Sequence, residues 1–174
     1  KIMKKALFII ASKDFRDEEY FIPYQRLKDN GFEVVTAGDK AGLALGTQGG
    51  EAEIRLDLKE VNPKEFDAVI FVGGGGALKY LDNEDSYRIA RETSGVLAAI
   101  CIAPLILARA GILKGKSATV WTSSMDKSPV GELEKEGVNY SKEDLVIDGK
   151  IITANGPLAA SKFADVIDTI VKKG

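Results

Sequence analysis

Short, wholly apolar runs alternate with amphipathic runs along this chain, and that alternation limits its possible folds more than any other feature. Lys5–Ala11, Ala68–Val72 and Val96–Ile100 are apolar at consecutive positions, as strands covered on both faces are. Asp17–Asn30 reads as a helix with Tyr20, Phe21, Tyr24 and Leu27 on one face and Gly31 as its stop. Phe32–Ala37 returns as a strand, and glycine-rich Gly38–Glu53 reads as a loop with a short hairpin. Leu56 to Val61 is ambiguous. Ser86–Glu92 and the run from Cys101 to Ala110 read as helices, Ala118–Thr122 as a strand, and Val130–Glu136 as a short helix stopped by Gly137. Leu145–Ile147 and Ile151–Thr153 flank Asp148-Gly149-Lys150, a turn between two strands. Ser161–Lys172 closes as a helix with Phe163, Val166, Ile167 and Ile170 inward.

Strand and helix in alternation predict an α/β fold, a mostly parallel sheet with helices on both faces. Ligands of such sheets bind beyond the carboxyl ends of the strands. Three segments end there: the loop after Ala11, the run Gly73-Gly74-Gly75-Gly76, and the turn at Cys101. At 174 residues, with no low-complexity linker and no repeat, a single domain over 1–174 is expected.

Composition removes several function classes. A net charge of −2 argues against a general nucleic-acid surface. No apolar run approaches the roughly 20 residues of a membrane helix, and the basic-then-apolar start, Lys1 to Ser12, is better explained as a first buried strand than as a signal peptide. One cysteine excludes an internal disulfide and fits a reducing cytoplasm, where the sequon Asn139-Tyr140-Ser141 would stay unused. The chain has no histidine. That removes the commonest metal ligand and neutral-pH acid–base group together, so no metal site is expected and Cys-His or Ser-His-Asp catalysis is impossible within the chain.

Cys101 sits where the strand Val96–Ile100 turns sharply into a helix opened by Pro104. A side chain on such an elbow projects from the sheet edge, and the amides after it favour an anion, so a thiol there would lean toward thiolate. A lone cysteine is also commonly a buried packing residue, and the local sequence is compatible with both roles. The tetraglycine run lacks the dinucleotide fingerprint because Leu78 takes the last glycine position, and Gly111 to Ser117 is one residue short of a phosphate loop. It reads as a tight turn using about two glycines for positive φ, or as a source of amide donors facing Cys101. Glu18 and Glu19 stand one turn into the first helix, where acids usually complement the dipole. Periodicity does not choose which of the two faces the sheet edge. Trp121 reads as a core residue.

The chain resembles the PfpI/ThiJ family, which includes intracellular proteases and the parkinsonism-linked protein deglycase. The resemblance covers nearly the whole chain. Its marks are Lys5–Ala11, then Asp17-Glu18-Glu19-Tyr20-Phe21-Ile22-Pro23, Phe66 to Gly74, Ala99-Ile100-Cys101-Ile102-Ala103-Pro104, and Asp148 to Thr153. It implies a flavodoxin-like three-layer sandwich with a nucleophile elbow. By that resemblance Cys101 matches the nucleophile, Glu19, four residues before Pro23, matches the acid that hydrogen-bonds the sulfur, and Gly74, Gly75 and the Ile102 amide match the oxyanion pocket. A protonated Glu19 can donate to a thiolate, whereas an ionised one repels it.

Two departures stand out. Protease-like members carry Cys-His-Gly-Pro where this chain has Cys101-Ile102-Ala103-Pro104, and the histidine of deglycase-like members is absent near Trp121. The resemblance implies a glyoxalase- or deglycase-like protein acting on a small dicarbonyl or glycated adduct, without a cofactor. A non-enzymatic redox sensor or chaperone-like protein is the alternative, and a peptidase is disfavoured. The expected setting is cytoplasmic, as a homodimer or higher homo-oligomer, with no nucleic-acid or membrane partner.

Overall fold

The computed structural model describes residues 2–174. The chain begins with β1 (Lys5–Ile10), a short β2 (Lys13–Phe15) and α1 (Asp17–Asp29). β3 (Glu33–Gly38) leads to a hairpin of β4 (Gly42–Gly46) and β5 (Glu51–Ile54), then to β6 (Leu56–Asp57) and a 3-10 turn, Leu58–Glu60. β7 (Ala68–Phe71) is followed by α2 (Ala77–Tyr80) and α3 (Glu84–Glu92), and β8 (Val96–Ile100) by α4 (Pro104–Arg109). Next come β9 (Ser117–Ala118), α5 (Ser128–Lys135) and β10 (Asn139–Tyr140). The chain closes with β11 (Leu145–Asp148), β12 (Ile151–Ala154) and α6 (Ala160–Lys173).

Seven strands form the central sheet in the order β11-β12-β8-β7-β1-β3-β6. All neighbours in it are parallel except the β11–β12 pair. Side-chain alternation divides the core into two layers. Ala6, Phe8 and Ile10 pack on one face with Tyr20 and Leu27 of α1 and Phe163 and Ile167 of α6. Leu7 and Ile9 pack on the other with Ile89 of α3 and Leu105 and Ile106 of α4. A strand buried on both faces needs apolar residues at every position, and β7 and β8 supply them. The result is the three-layer, flavodoxin-like α/β sandwich.

The structure departs from the sequence reading in several places, among them the short strand β10 at Asn139–Tyr140, which pairs with β9. Beyond Ala118 the run toward Thr122 leaves the ladder. The Thr119 amide donates to the Thr153 hydroxyl (3.0 Å) and the Trp121 amide to the Cys101 carbonyl (2.8 Å). These partners satisfy the backbone without a strand. β2 was not anticipated, because Lys13-Asp14-Phe15 has no apolar period and Asp14 takes φ 61°. The one-turn α2 was hidden directly behind the glycines.

Phe163 is fully buried between α6 and the sheet, while Ile147 on the edge strand β11 is 50% exposed. Phe163→Ala should cost about 3–5 kcal/mol, and Ile147→Ala about 0.5 kcal/mol or less. Urea midpoints of the two variants check this, and comparable losses would contradict the layer assignment.

Candidate active site

The cysteine is held in a conformation it would not choose alone. Cys101 has φ 66°, the left-handed region, which costs a non-glycine residue about 1–3 kcal/mol. Its amide donates to the Ala154 carbonyl of β12 (2.8 Å), and its carbonyl accepts from Trp121. Pinned on both sides, the half-buried side chain projects from the carboxyl edge of the sheet. This is the elbow that the sequence predicts.

Glu19, not Glu18, is the acid at that elbow. Its carboxyl is fully buried, and Oε1 accepts from the Gly73 amide at 3.1 Å. The other oxygen, Oε2, is buried without a well-aligned hydrogen bond. The Cys101 side chain acts on the carboxyl as a whole, an interaction that draws Glu19 down and pushes the thiol up. Glu18 points the other way and grips the Arg16 guanidinium in a two-pronged contact, Nε to Oε1 at 2.8 Å and Nη2 to Oε2 at 3.1 Å. It therefore does more than complement the helix dipole.

The tetraglycine run is more constrained than a tight turn requires. A Cβ on Gly73 would fall 2.6 Å from the Cys101 Cβ and 2.7 Å from Glu19 Oε1. One on Gly74, at φ 108°, would fall 2.5 Å from the Arg16 nitrogen, and one on Gly76 would fall 1.9 Å from the Lys13 carbonyl oxygen. Three glycines thus let the turn close against β2 and the start of α1, where the Arg16 amide donates to the Gly73 carbonyl (3.0 Å). Gly75 alone faces open space. Gly73 holds Glu19 and escaped the sequence reading, which placed the donors at Gly74 and Gly75.

A cleft of about 370 Å³ opens over the cysteine, lined by Arg16, Thr47, Gly74, Gly75, Leu78, Cys101, Ile102 and Trp121. Cys101, Gly74, Gly75 and Ile102 of the expected site come together here, while Glu19 lies beneath. Trp121 is a cleft wall rather than a core residue. Arg16, Thr47 and Leu78 were not anticipated. Thr47 is placed by Asp17, whose carboxylate accepts from the amides of Gln48 (2.9 Å) and Gly50 (2.8 Å). Those contacts fold the β4–β5 turn over the site. The signal was an acid at a helix start with a glycine-rich loop elsewhere, too common a pairing to read.

Electrostatics correct one expectation. Burial, followed by the charge of an ionised Glu19, pushes the Cys101 thiol up, and the amides of Gly74 and Ile102 only partly offset this. The elbow alone does not make a thiolate. Burial also pushes Glu19 up, to about 7. The pair therefore retains a proton at neutral pH, shared between the thiol and the Glu19 carboxyl. Among the described residues no group of three His, Cys, Asp or Glu is placed to hold a metal. No helix among them is long and apolar enough to cross a membrane.

A strained cysteine over a buried glutamic acid, at the switch edge of this sheet, defines a class. A family model described as the DJ-1/PfpI family matches residues 4–169, and the chain belongs to that family. It is 36% identical over 156 residues to a Pyrococcus furiosus protein named Deglycase PfpI, covering 88% of this chain and 90% of that one. An uncharacterised Methanocaldococcus jannaschii protein is 38% identical over 173 residues, with 97% and 83% coverage. The crystal structure of a ThiJ/PfpI domain protein from Brachyspira murdochii matches with a TM-score of 0.90 at 27% identity, covering 100% of this chain and 99% of that one.

Glu19 makes stability depend on pH. Its carboxyl moves from an ordinary 4.5 to about 7 in the fold. Its contribution is present below pH 4.5 and is lost as pH rises through 7, because the folded state keeps a proton that the unfolded state releases. Glu19→Gln should be more stable than the wild type above pH 7, by up to about 3 kcal/mol, and the gap should shrink toward pH 4.5. Urea melts at pH 5 and pH 8 measure it. An equal gap at both would rule out a raised Glu19.

Proposed function

We propose that this chain is a deglycase-like enzyme acting on reactive 1,2-dicarbonyls or their adducts, with Cys101 as nucleophile and Glu19 as proton carrier. Relatives named deglycases support the coarser activity. The observation that carries the finer reading is the Cys101–Glu19 pair under a small, mostly apolar cleft.

With methylglyoxal, Sγ adds to the aldehyde carbon. An S–C bond forms, the C=O π pair moves to oxygen, and the proton shared by Cys101 and Glu19 ends on that oxygen as a hemithioacetal hydroxyl. The Gly74 and Ile102 amides, which act on the resting sulfur, then lie beside the new oxygen, with Gly75 at the open rim. Glu19, ionised and near neutrality, takes the proton from the first carbon and returns it to the second. The hydroxyl proton moves to the second oxygen, leaving a thioester. Water cleaves this to lactate and the free thiol. The acid does what histidine does elsewhere, and it suffices because a 1,2-dicarbonyl is an activated electrophile. An amide leaving group demands more, which weighs against peptide hydrolysis. Cytoplasmic residence and a homo-oligomeric state belong to this proposal.

Purified wild type should form lactate from methylglyoxal in a buffer without amines. Cys101→Ala should abolish this, and Glu19→Leu should lower the rate by about 100-fold or more. No Cys101-dependent cleavage of a fluorogenic peptide is expected. If the wild type forms no lactate while peroxide oxidises Cys101 stoichiometrically, the redox-sensor reading replaces this one.

A further inference from the structure

The cleft contains one charged side chain that the chemistry above does not use. Arg16 lies on its wall beside Cys101. Its backbone is tied to the tetraglycine turn through the Gly73 carbonyl. Its guanidinium is tied to Glu18 along one edge only, through Nε and Nη2. A guanidinium has five N–H donors in a rigid fork, and among the described residues nothing accepts from Nη1. The end of the fork is therefore unclaimed, on a side chain whose orientation is already fixed. The other polar cleft side chains are poorer candidates. The Thr47 hydroxyl is spent on the Phe15 carbonyl (3.3 Å), and the Trp121 indole carries a single donor and no charge.

Resting on the reading above, we infer that Arg16 selects 1,2-dicarbonyls over simple aldehydes by donating from its free edge to the carbonyl oxygen that the sulfur does not attack. The two carbonyl groups of such a substrate lie on adjacent carbons. Once Sγ is bonded to the first, the second oxygen is the remaining polar atom, and among the lining side chains Arg16 alone offers it a charged donor. Glu18 is then a positioning residue. It holds the guanidinium flat and offsets its charge, so the uncharged substrate meets an oriented donor rather than a strong anion trap. Arg16 also stands near enough for its charge to favour ionisation of Glu19, the form that accepts the carbon-bound proton.

Reversible addition tests this without requiring turnover. In it the S–C bond forms, and the thiol proton ends on the new hydroxyl. An added carbonyl compound therefore shields Cys101 from iodoacetamide. The readout is the half-protecting concentration of acetaldehyde divided by that of methylglyoxal, a ratio that cancels changes in the thiol's own reactivity. Exposures are kept short, and intact mass is checked for arginine adducts. Arg16→Met should lower this ratio about 10- to 100-fold, the worth of a hydrogen bond to a charged group. Glu18→Gln should lower it less. An unchanged ratio in Arg16→Met, or a larger fall in Trp121→Phe, overturns the assignment, as does a wild type that methylglyoxal fails to protect. Arg16-dependent protection without lactate formation would leave this inference standing and remove the proposed turnover.

Discussion

One buried carboxyl organises this molecule's working edge. Glu19 comes from α1, the amide it accepts from belongs to the turn after β7, and the sulfur it addresses belongs to the elbow after β8. Three crossovers of the sheet converge on one acid. The convergence is possible only because Gly73 has no side chain, since any Cβ there would overlap both partners. A polar group so deeply placed costs stability unless it is paired, and here one oxygen lacks a good partner. The fold carries that cost at the position where burial raises the carboxyl to about 7.

Pro23 adds to the same arrangement. It lies inside α1 and has no N–H to offer the Glu19 carbonyl four residues earlier, as the helical pattern would require. The helix thus gives up a backbone bond one turn beyond Glu19. The first turn is instead secured from outside, through the bond between the Arg16 amide and the Gly73 carbonyl and through the Asp17 carboxylate on the β4–β5 turn. The orientation of Glu19 therefore depends on tertiary contacts more than on helix continuity.

The central strands were legible in the sequence because their signal is local. Ala68–Val72 and Val96–Ile100 are apolar throughout, and only a doubly covered strand uses such a run. The elbow was legible for the same reason, as a strand stopped by small residues and Pro104. The choice between Glu18 and Glu19 was not legible from periodicity, because neighbouring helical positions differ by about 100° and the sheet edge could accept either; the family resemblance pointed to Glu19, whose carboxyl the fold buries against the Gly73 amide. Arg16, Thr47 and Gly73 remained hidden because their roles depend on contacts between segments far apart in sequence. The run from Ala118 to Thr122 shows the opposite failure. Its composition suits a strand, but its amides found the Thr153 hydroxyl and the Cys101 carbonyl first.

The tetraglycine turn is unequal in what it permits. Three of its residues are locked by backbone or by the reactive pair, whereas a methyl group on Gly75 would touch nothing within 4 Å. Its left-handed neighbour Gly74 has already made the reversal, so Gly75 carries no such conformational demand. A side chain could therefore be added at this one place without moving the sulfur, the acid or their amides, and it would stand directly in the mouth of the cleft. The loop that is most rigid in its chemistry thus contains its own adjustable aperture. A single substitution there would narrow the cleft while leaving Cys101, Glu19 and Gly73 where they stand.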